Sequence, residues 1–218
     1  LMSVNAETNP AGTGSAELSD SALGKLPLWL CMGWGIGTLG MSVMFNSVNL
    51  LLARFATDYL GIAASTFGLI YFVSKIYDAV TDPTMGWLSD RTKSRFGRRR
   101  PYLLLGGAIS AIAFICIFNT PSIDTATNAA WILAFGMILY STGYTVFNVP
   151  YLSMPVEMTN GYLERARLIS FRVYAIGIGS LIGLSVAPTL IPIFGGGKEG
   201  HAALSVVFGA VIFSASVL

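Results

Sequence analysis

The stretch Lys75-Ile-Tyr-Asp78-Ala-Val-Thr81-Asp82-Pro83-Thr-Met-Gly86-Trp-Leu-Ser-Asp90 decides the fold class, because it places three ionisable side chains inside an otherwise apolar segment. The basic run Arg91-Thr-Lys-Ser-Arg-Phe-Gly97-Arg98-Arg99-Arg100-Pro101 follows it directly. Ionisable residues are rare in membrane spans and normally face a cavity or a partner. The stretch therefore predicts a membrane helix with a functional polar face, followed by a cytoplasmic loop.

The rest of the chain has the composition of a membrane protein with several spans. Of its 218 residues, 54% are hydrophobic and 11% are charged. A spanning helix needs about 20 mostly apolar residues. We predict an all-α membrane protein with six transmembrane helices, near 27–57, 62–88, 102–119, 128–152, 168–193 and 202–218.

The first residues differ from the rest in composition. Residues 1–24 are mostly small and polar, and they cannot bury enough apolar surface to offset the entropy of ordering. We predict a flexible cytoplasmic tail over 1–24 and a six-helix bundle over 25–218. The last apolar run is still open at Leu218, so we expect the sequence to be a fragment that lacks a C-terminal half.

The positive charges predict the orientation of the bundle. Lys93 and five arginines lie in the 89–101 loop, and the 155–167 loop adds two more arginines. Loops rich in Lys and Arg stay in the cytoplasm, so both loops and the N-terminus are predicted to be cytoplasmic in a multi-pass protein of the cell membrane. The net charge of +2 is mostly this topological pattern, so nucleic-acid binding is not expected.

The second span carries one polar stripe. At about 100° per residue, Lys75, Asp78 and Asp82 fall within about 60° of one another. Two carboxylates one turn apart can coordinate a small cation jointly or hold one shared proton. Lys75 could neutralise the pair when the cation is absent. The alternative is a structural ion pair between Lys75 and Asp78 without a role in transport.

The fourth span offers a second polar stripe, in which Tyr140, Tyr144, Asn148 and Tyr151 recur at helical spacing beside Thr145. Aromatic faces pack on the apolar side of a sugar ring, while phenol and amide groups bond to hydroxyls. The stripe could therefore line a solute cavity. The alternatives are interfacial anchoring for the tyrosines and a helix contact for Asn148.

Two further groups of residues have simpler interpretations. The glycines of the first and fifth spans predict close helix packing rather than ligand contacts. His201 falls in a predicted outer loop, where a single histidine has no expected function.

The motif Asp78-Ala-Val-Thr-Asp82-Pro83-x-x-Gly86-Trp, followed by Asp90-Arg91-Thr-x-Ser-Arg-x-Gly97-Arg98-x-Arg100-Pro101, resembles the glycoside-pentoside-hexuronide:cation symporters of the major facilitator superfamily. The resemblance runs from about Trp34 to Arg172. It implies twelve helices in two six-helix halves around a midplane cavity, with alternating access driven by a cation gradient. This chain would be the N-terminal half.

The resemblance also implies site residues. The sodium or proton coupling site would comprise Asp78, Asp82, Thr81 and Thr145, with Thr81 in place of a common amide. The candidate solute-binding residues are Ser42, Lys75, Tyr144, Asn148 and Arg172. Ser42 and Asn148 stand where relatives carry aspartates, and Lys75 replaces a common arginine. Loss of two carboxylates makes the cavity less negative, so a hydrophobic or anionic solute such as a hexuronide becomes easier to accommodate.

The basic loop suggests a gate. Asp90 could pair with arginines and lock one conformation of the transport cycle, and the candidate members are Asp90, Arg91, Arg98, Arg99 and Arg100. The alternative is plain anchoring by positive charge at the cytoplasmic surface.

Together these observations predict a symporter of a sugar, glycoside or hexuronide-like solute with a monovalent cation and no cofactor, embedded in membrane lipid. A carrier of a lipid-like or amphiphilic solute, or a non-transporting membrane sensor on the same fold, are the alternatives. An enzyme is not expected, because no HExxH, GxSxG or paired catalytic constellation stands out. The oligomeric state stays open.

Overall fold

The computed structural model describes residues 27–93, 95, 98–120, 125–159 and 161–217, and these form helices and short connections without a strand. The predicted tail at 1–24 lies outside the described residues. The helices are α1 (Leu28–Arg54), α2 (Ala64–Arg91), α3 (Arg100–Phe118), α4 (Ala126–Met158), α5 (Tyr162–Leu181), α6 (Ala187–Ile193) and α7 (Gly197–Val217). π-Helical segments at Phe55–Tyr59 and Ile182–Val186 extend α1 and join α5 to α6.

The predicted six spans are all helical. Five helical stretches are long and apolar enough to cross a membrane: Leu28–Tyr59, Arg100–Phe118, Ala126–Met158, Tyr162–Ile193 and Gly197–Val217. The sixth, α2, is 28 residues long but contains ionisable side chains that lower its mean hydropathy. The polar residues of α2 therefore need partners within the bundle, because ionisable side chains are costly in a membrane.

Local sequence accounts for where several helices begin. Pro101 lies in the first turn of α3, where a missing N–H costs nothing and the fixed φ favours the helix. Gly61 adopts a φ of +67° in the turn before α2, a conformation that side-chain-bearing residues rarely adopt.

The structure corrects three expected boundaries. α4 continues to Met158 instead of ending near 152, and α5 begins at Tyr162 instead of near 168. The outer loop expected over 194–201 is short, because α7 begins at Gly197. His201 is consequently not a loop residue: it lies buried in α7, with its ring against those of Phe55, Tyr59 and Phe118.

The helices pack in the order α5, α1, α7, α3, α4 and α2. α1 contacts both α5 and α7, α3 contacts both α7 and α4, and α2 packs on α4. The apolar core lies between α1, α3, α4 and α7, where Phe114, Leu133 and Phe147 are almost fully buried. α2 and α5 thus lie at the two ends of this packing order, and many of their apolar side chains are exposed.

Glycines let two helix pairs approach backbone to backbone. A Cβ on Gly106 of α3 would lie 2.5 Å from the backbone nitrogen of Phe147, and one on Gly143 of α4 would lie 2.6 Å from that of Ser110. A Cβ on Gly179 of α5 would lie 2.8 Å from the carbonyl oxygen of Leu39 in α1. Close packing was predicted for the fifth span and is confirmed at Gly179, whereas the α3–α4 contact was not predicted.

The α3–α4 contact gives a testable prediction. Gly143→Ala inserts a methyl group against the backbone of Ser110, and such overpacking costs about 1–3 kcal/mol. We expect a lower thermal unfolding midpoint for the detergent-purified full protein, measured by tryptophan fluorescence. Gly177→Ala in α5 is the control, since no heavy atom lies within 4 Å of its added Cβ. Equal midpoints for the two variants would contradict the packing argument.

Candidate functional site

The ionisable stripe of α2 contains an ion pair and an unpaired oxygen. Lys75 Nζ donates to Asp78 Oδ2 at 2.8 Å, and the two side chains are 40% and 17% exposed. The other carboxylate oxygen, Asp78 Oδ1, is buried and has no hydrogen-bond partner within the described residues. A buried acceptor without a donor is costly, so Asp78 keeps an unused capacity to bind a positive group.

Asp82, one turn further along α2, is joined to α4. Thr145 Oγ1 donates a hydrogen bond to Asp82 Oδ1 at 2.7 Å. The structure therefore brings together two of the four predicted coupling residues, Asp82 and Thr145, and Asp78 lies one turn away on α2.

The fourth predicted coupling residue, Thr81, has its hydroxyl directed at its own helix. Thr81 Oγ1 donates to the carbonyl oxygens of Tyr77 at 3.0 Å and Asp78 at 3.4 Å. Hydroxyls in helices commonly bond in this way to the preceding turn. Its role in cation binding stays a prediction.

Two hydroxyl pairs continue the contact between α2 and α4. Ser74 Oγ and Ser141 Oγ are 3.3 Å apart, and the Tyr77 hydroxyl and Thr142 Oγ1 are 2.9 Å apart. We call these two pairs and the Asp82–Thr145 bond the polar seam. The four hydroxyl residues were missed from the sequence, although the spacing of Ser74 and Tyr77, three residues apart in α2, could have indicated a shared face.

Two of the predicted solute residues, Tyr144 of α4 and Arg172 of α5, lie near the α2 carboxylates. Its ring lies 5.8 Å from that of Phe45 in α1, and its phenol is close enough to Asp78, Asp82 and Arg172 for electrostatic interaction. Arg172 of α5 is half-buried, and its Nε is buried without a hydrogen-bond partner in the described part of the chain. The structure thus groups Tyr144 and Arg172 with the α2 carboxylates.

The other predicted solute residues have different surroundings. Asn148 is half-buried, and its side-chain amide makes no hydrogen bond to the described residues. Ser42 is buried, and its Cβ packs against Gly179 in the α1–α5 contact. Asn46, one turn later, donates to the Ser42 carbonyl at 2.8 Å and to Ser180 Oγ at 2.9 Å. Ser42 therefore lies within a helix contact.

A cavity of about 690 Å³ opens beside the polar seam. Thr81 and Thr145 line it, and most of the remaining wall is apolar, including Met85, Trp87 and Leu88. An apolar groove thus reaches the seam from the end of α2 that carries the basic loop.

The predicted gate centres on Arg99, whose side chain is only 8% exposed. Arg99 Nη2 lies 3.2 Å from Asp90 Oδ1 and 2.9 Å from Glu157 Oε1. Arg99 Nη1 also donates to the Pro150 carbonyl oxygen at 3.0 Å. One guanidinium therefore joins the C-terminal ends of α2 and α4, a geometry that suits the planar fork of arginine.

The other predicted gate residues differ in their contacts. Arg98 lies 3.9 Å from both Asp90 and Glu157, at the edge of this cluster. The Arg91 guanidinium lies 4.0 Å over the Trp87 ring, and Arg100 is exposed without an ion pair to the described residues. Glu157 was missed from the sequence, because α4 was expected to end before it.

The Arg99 cluster gives a stability prediction. Arg99→Gln leaves two carboxylates and a carbonyl oxygen without their shared donor, and we expect this to cost about 1–3 kcal/mol. The thermal unfolding midpoint of the full protein should fall, while that of Arg100→Gln, at an exposed neighbouring position, should match the unmodified protein. A midpoint for Arg99→Gln equal to that of Arg100→Gln would show that the cluster does not hold the two helices together.

Comparison of the sequence with known proteins identifies its family. Residues 33–218 match the profile of a family described as MFS/sugar transport protein. A putative glycoside/cation symporter, YagG, of Escherichia coli strain K12 is 38% identical over 168 residues, which cover 77% of this chain and 36% of the relative. The inner membrane symporter YicJ of that strain is 33% identical over 183 residues, covering 81% and 39%. An isoprimeverose transporter of Lactiplantibacillus pentosus is 27% identical over 203 residues, covering 92% and 42%.

The chain spans about two fifths of the length of these relatives. That share and the six helical spans agree with the predicted six-helix half of a twelve-helix fold. The family comprises membrane transporters and not enzymes, in agreement with the sequence analysis. The chain belongs to the MFS/sugar transport protein family of the major facilitator superfamily.

Proposed function

We propose that the full protein is a secondary symporter that moves a sugar, glycoside or hexuronide-like solute together with Na⁺ or a proton by alternating access. The observation that carries this proposal is the pair of carboxylates on α2. Asp82 is bonded to Thr145 of α4, and Asp78, one turn away, keeps a buried oxygen without a donor. Ionisable groups are expensive in a membrane, so an incompletely satisfied pair favours a role in binding.

The donor set fits a monovalent cation. Asp78, Asp82 and Thr145 offer carboxylate and hydroxyl oxygens, which suit hard cations. Lys75 offsets one of the two carboxylate charges, so a single positive charge would balance the group.

Each residue has a distinct part in this proposal. Asp78 and Asp82 would hold the coupling ion, which supplies the electrochemical gradient that drives transport. Thr145 fixes the orientation of Asp82 and ties the position of α2 to that of α4. Lys75 neutralises Asp78 and lowers the cost of placing two carboxylates one turn apart.

The surroundings of Tyr144 support a polar, ring-containing solute. The Phe45 and Tyr144 rings offer apolar faces, and the Tyr144 phenol and the Asn148 amide offer hydrogen bonds. Arg172 adds a positive charge that would accept an acidic solute as well as a neutral one. The names of the relatives, a glycoside/cation symporter and an isoprimeverose transporter, point in the same direction.

The Arg99 cluster supports an inner gate and an orientation. Basic residues collect at the end of α2 that carries this cluster, so this end and the N-terminus would be cytoplasmic in the cell membrane. Asp90 and Glu157 hold Arg99 between α2 and α4. Because Arg99 joins them, α2 and α4 would move as one body when the transport cycle opens or closes the cytoplasmic side.

The apolar groove beside the seam favours a second candidate. Its wall of Met85, Trp87 and Leu88 would suit the alkyl part of an amphiphilic solute, and it reaches Thr145 at the seam. A carrier of lipid-like solutes would use the same carboxylates for coupling.

The test is uptake by the full protein in proteoliposomes with imposed Na⁺ or proton gradients. Asp78→Asn and Asp82→Asn each remove a carboxylate charge, and we expect each to reduce gradient-stimulated uptake of a glycoside or hexuronide at least about ten-fold, which corresponds to about 1.4 kcal/mol. Thr145→Ala should reduce it less, because it removes only the hydrogen bond to Asp82.

Asp58→Asn is the matched control, since Asp58 is an exposed carboxylate paired with Arg54 outside the seam. It should transport as the unmodified protein does. Unchanged gradient dependence in both Asp78→Asn and Asp82→Asn would refute the coupling site. Stimulated uptake of an amphiphile but of no sugar would favour the second candidate, and no stimulated uptake of any solute would refute the symporter.

A further inference from the structure

We propose that Lys75 is a tethered competitor of the coupling ion: its ammonium group lies on Asp78 in the ion-free site and shifts to the face of the Tyr71 ring when an external cation binds. This inference rests on the proposed coupling site. It adds a residue that sets the affinity of the site for cations.

The two positions of the ammonium group are already close together. Lys75 Nζ is 2.8 Å from Asp78 Oδ2 and 5.4 Å from the centroid of the Tyr71 ring. A cation within about 6 Å of an aromatic ring centroid is attracted by the ring. The ammonium group therefore already lies over the ring while it is paired with Asp78, and a small movement toward the ring would replace the carboxylate contact by a closer aromatic one.

The side chain is free to make this movement. The Lys75 side chain is 40% exposed, whereas that of Asp78 is only 17% exposed. Lysine carries a compact charge on a flexible four-carbon stem, so it leaves a carboxylate more readily than the fixed fork of arginine does. The moving partner is Lys75, and the buried carboxylate stays as the fixed partner.

The receiving position is held in place from another helix. The Tyr71 hydroxyl donates to Asn49 Oδ1 of α1 at 2.8 Å, which fixes the ring relative to α1. The ammonium group therefore moves between a carboxylate on α2 and a ring anchored to α1. Binding of an ion at the coupling site would therefore move the positive charge of Lys75 toward the contact between α1 and α2.

Asp78 also has an acceptor oxygen that Lys75 does not use. Lys75 occupies only Oδ2, and Asp78 Oδ1 is buried without a donor. An external cation could approach Oδ1 before the ammonium group leaves Oδ2. Competition, rather than complete blockage, is the expected behaviour.

The experiment measures Na⁺ affinity, not transport. The full protein in detergent is titrated with NaCl at constant ionic strength with choline chloride, and the Na⁺-dependent rise of the unfolding midpoint reports binding. Lys75→Met removes the competitor, so its Na⁺ affinity should be at least about ten-fold tighter than that of the unmodified protein. Lys75→Arg keeps the charge but holds the carboxylate through a fixed fork, so its Na⁺ affinity should be weaker than that of the unmodified protein.

Tyr71 provides an independent pair of variants. Tyr71→Leu removes the ring that receives the ammonium group, so Na⁺ affinity should weaken. Tyr71→Phe keeps the ring but loses the bond that fixes it to Asn49, so its Na⁺ affinity should weaken less than that of Tyr71→Leu. In the Lys75→Met background, Tyr71→Leu should have no further effect, since the two residues act through one interaction.

The outcomes separate this inference from the proposed function. Na⁺ affinity in Lys75→Met that is unchanged, weaker or undetectable would overturn the inference, and so would equal affinities in Tyr71→Leu and Tyr71→Phe. Should Lys75→Met fail to fold, the Tyr71 pair decides. Gradient-driven uptake with unchanged Na⁺ affinity in Lys75→Met would refute only the tethered competitor. Tighter Na⁺ binding without gradient-driven uptake would refute only the symporter.

Discussion

The hydrogen bond from Thr145 to Asp82 is the interaction on which the candidate site depends, because it places a carboxylate of α2 against α4 inside a membrane helix bundle. In hydrocarbon a polar group must find its partner within the protein. The remaining pairs of the polar seam meet the same requirement at neighbouring positions. Asp78, one turn of α2 from Asp82, is the exception, since one of its oxygens has no donor among the described residues.

The bundle combines two kinds of helix contact. α3 and α4 meet backbone to backbone at Gly106 and Gly143, an arrangement with little room for relative movement. α2 and α4 meet through hydroxyls, one carboxylate and the guanidinium of Arg99. Polar contacts of this kind can be exchanged for others at modest cost, whereas close glycine contacts cannot. The candidate site therefore lies on the polar contact of the bundle and not on the glycine contact.

Sequence reasoning found the acidic pair and Thr145, because charge in an apolar helix is conspicuous and the motif around it is specific. It missed Glu157, since the predicted fourth span ended near 152, whereas α4 continues to Met158. It also assigned His201 to a loop, although this residue packs among aromatic rings in α7. Both errors arose at helix ends, where composition changes gradually and tertiary contacts decide how far a helix continues.

The sequence by itself determined that the chain is an all-helical membrane protein, where its spans lie, and that Lys75, Asp78 and Asp82 share one helix face, because hydropathy and helical periodicity are properties of consecutive residues. The tertiary structure alone decided which oxygens are satisfied. Thr145 bonds to Asp82 and not to Asp78, and Arg99 is the arginine that Asp90 and Glu157 share. These choices depend on how α2 and α4 cross, and that crossing is set by packing between residues far apart in the sequence.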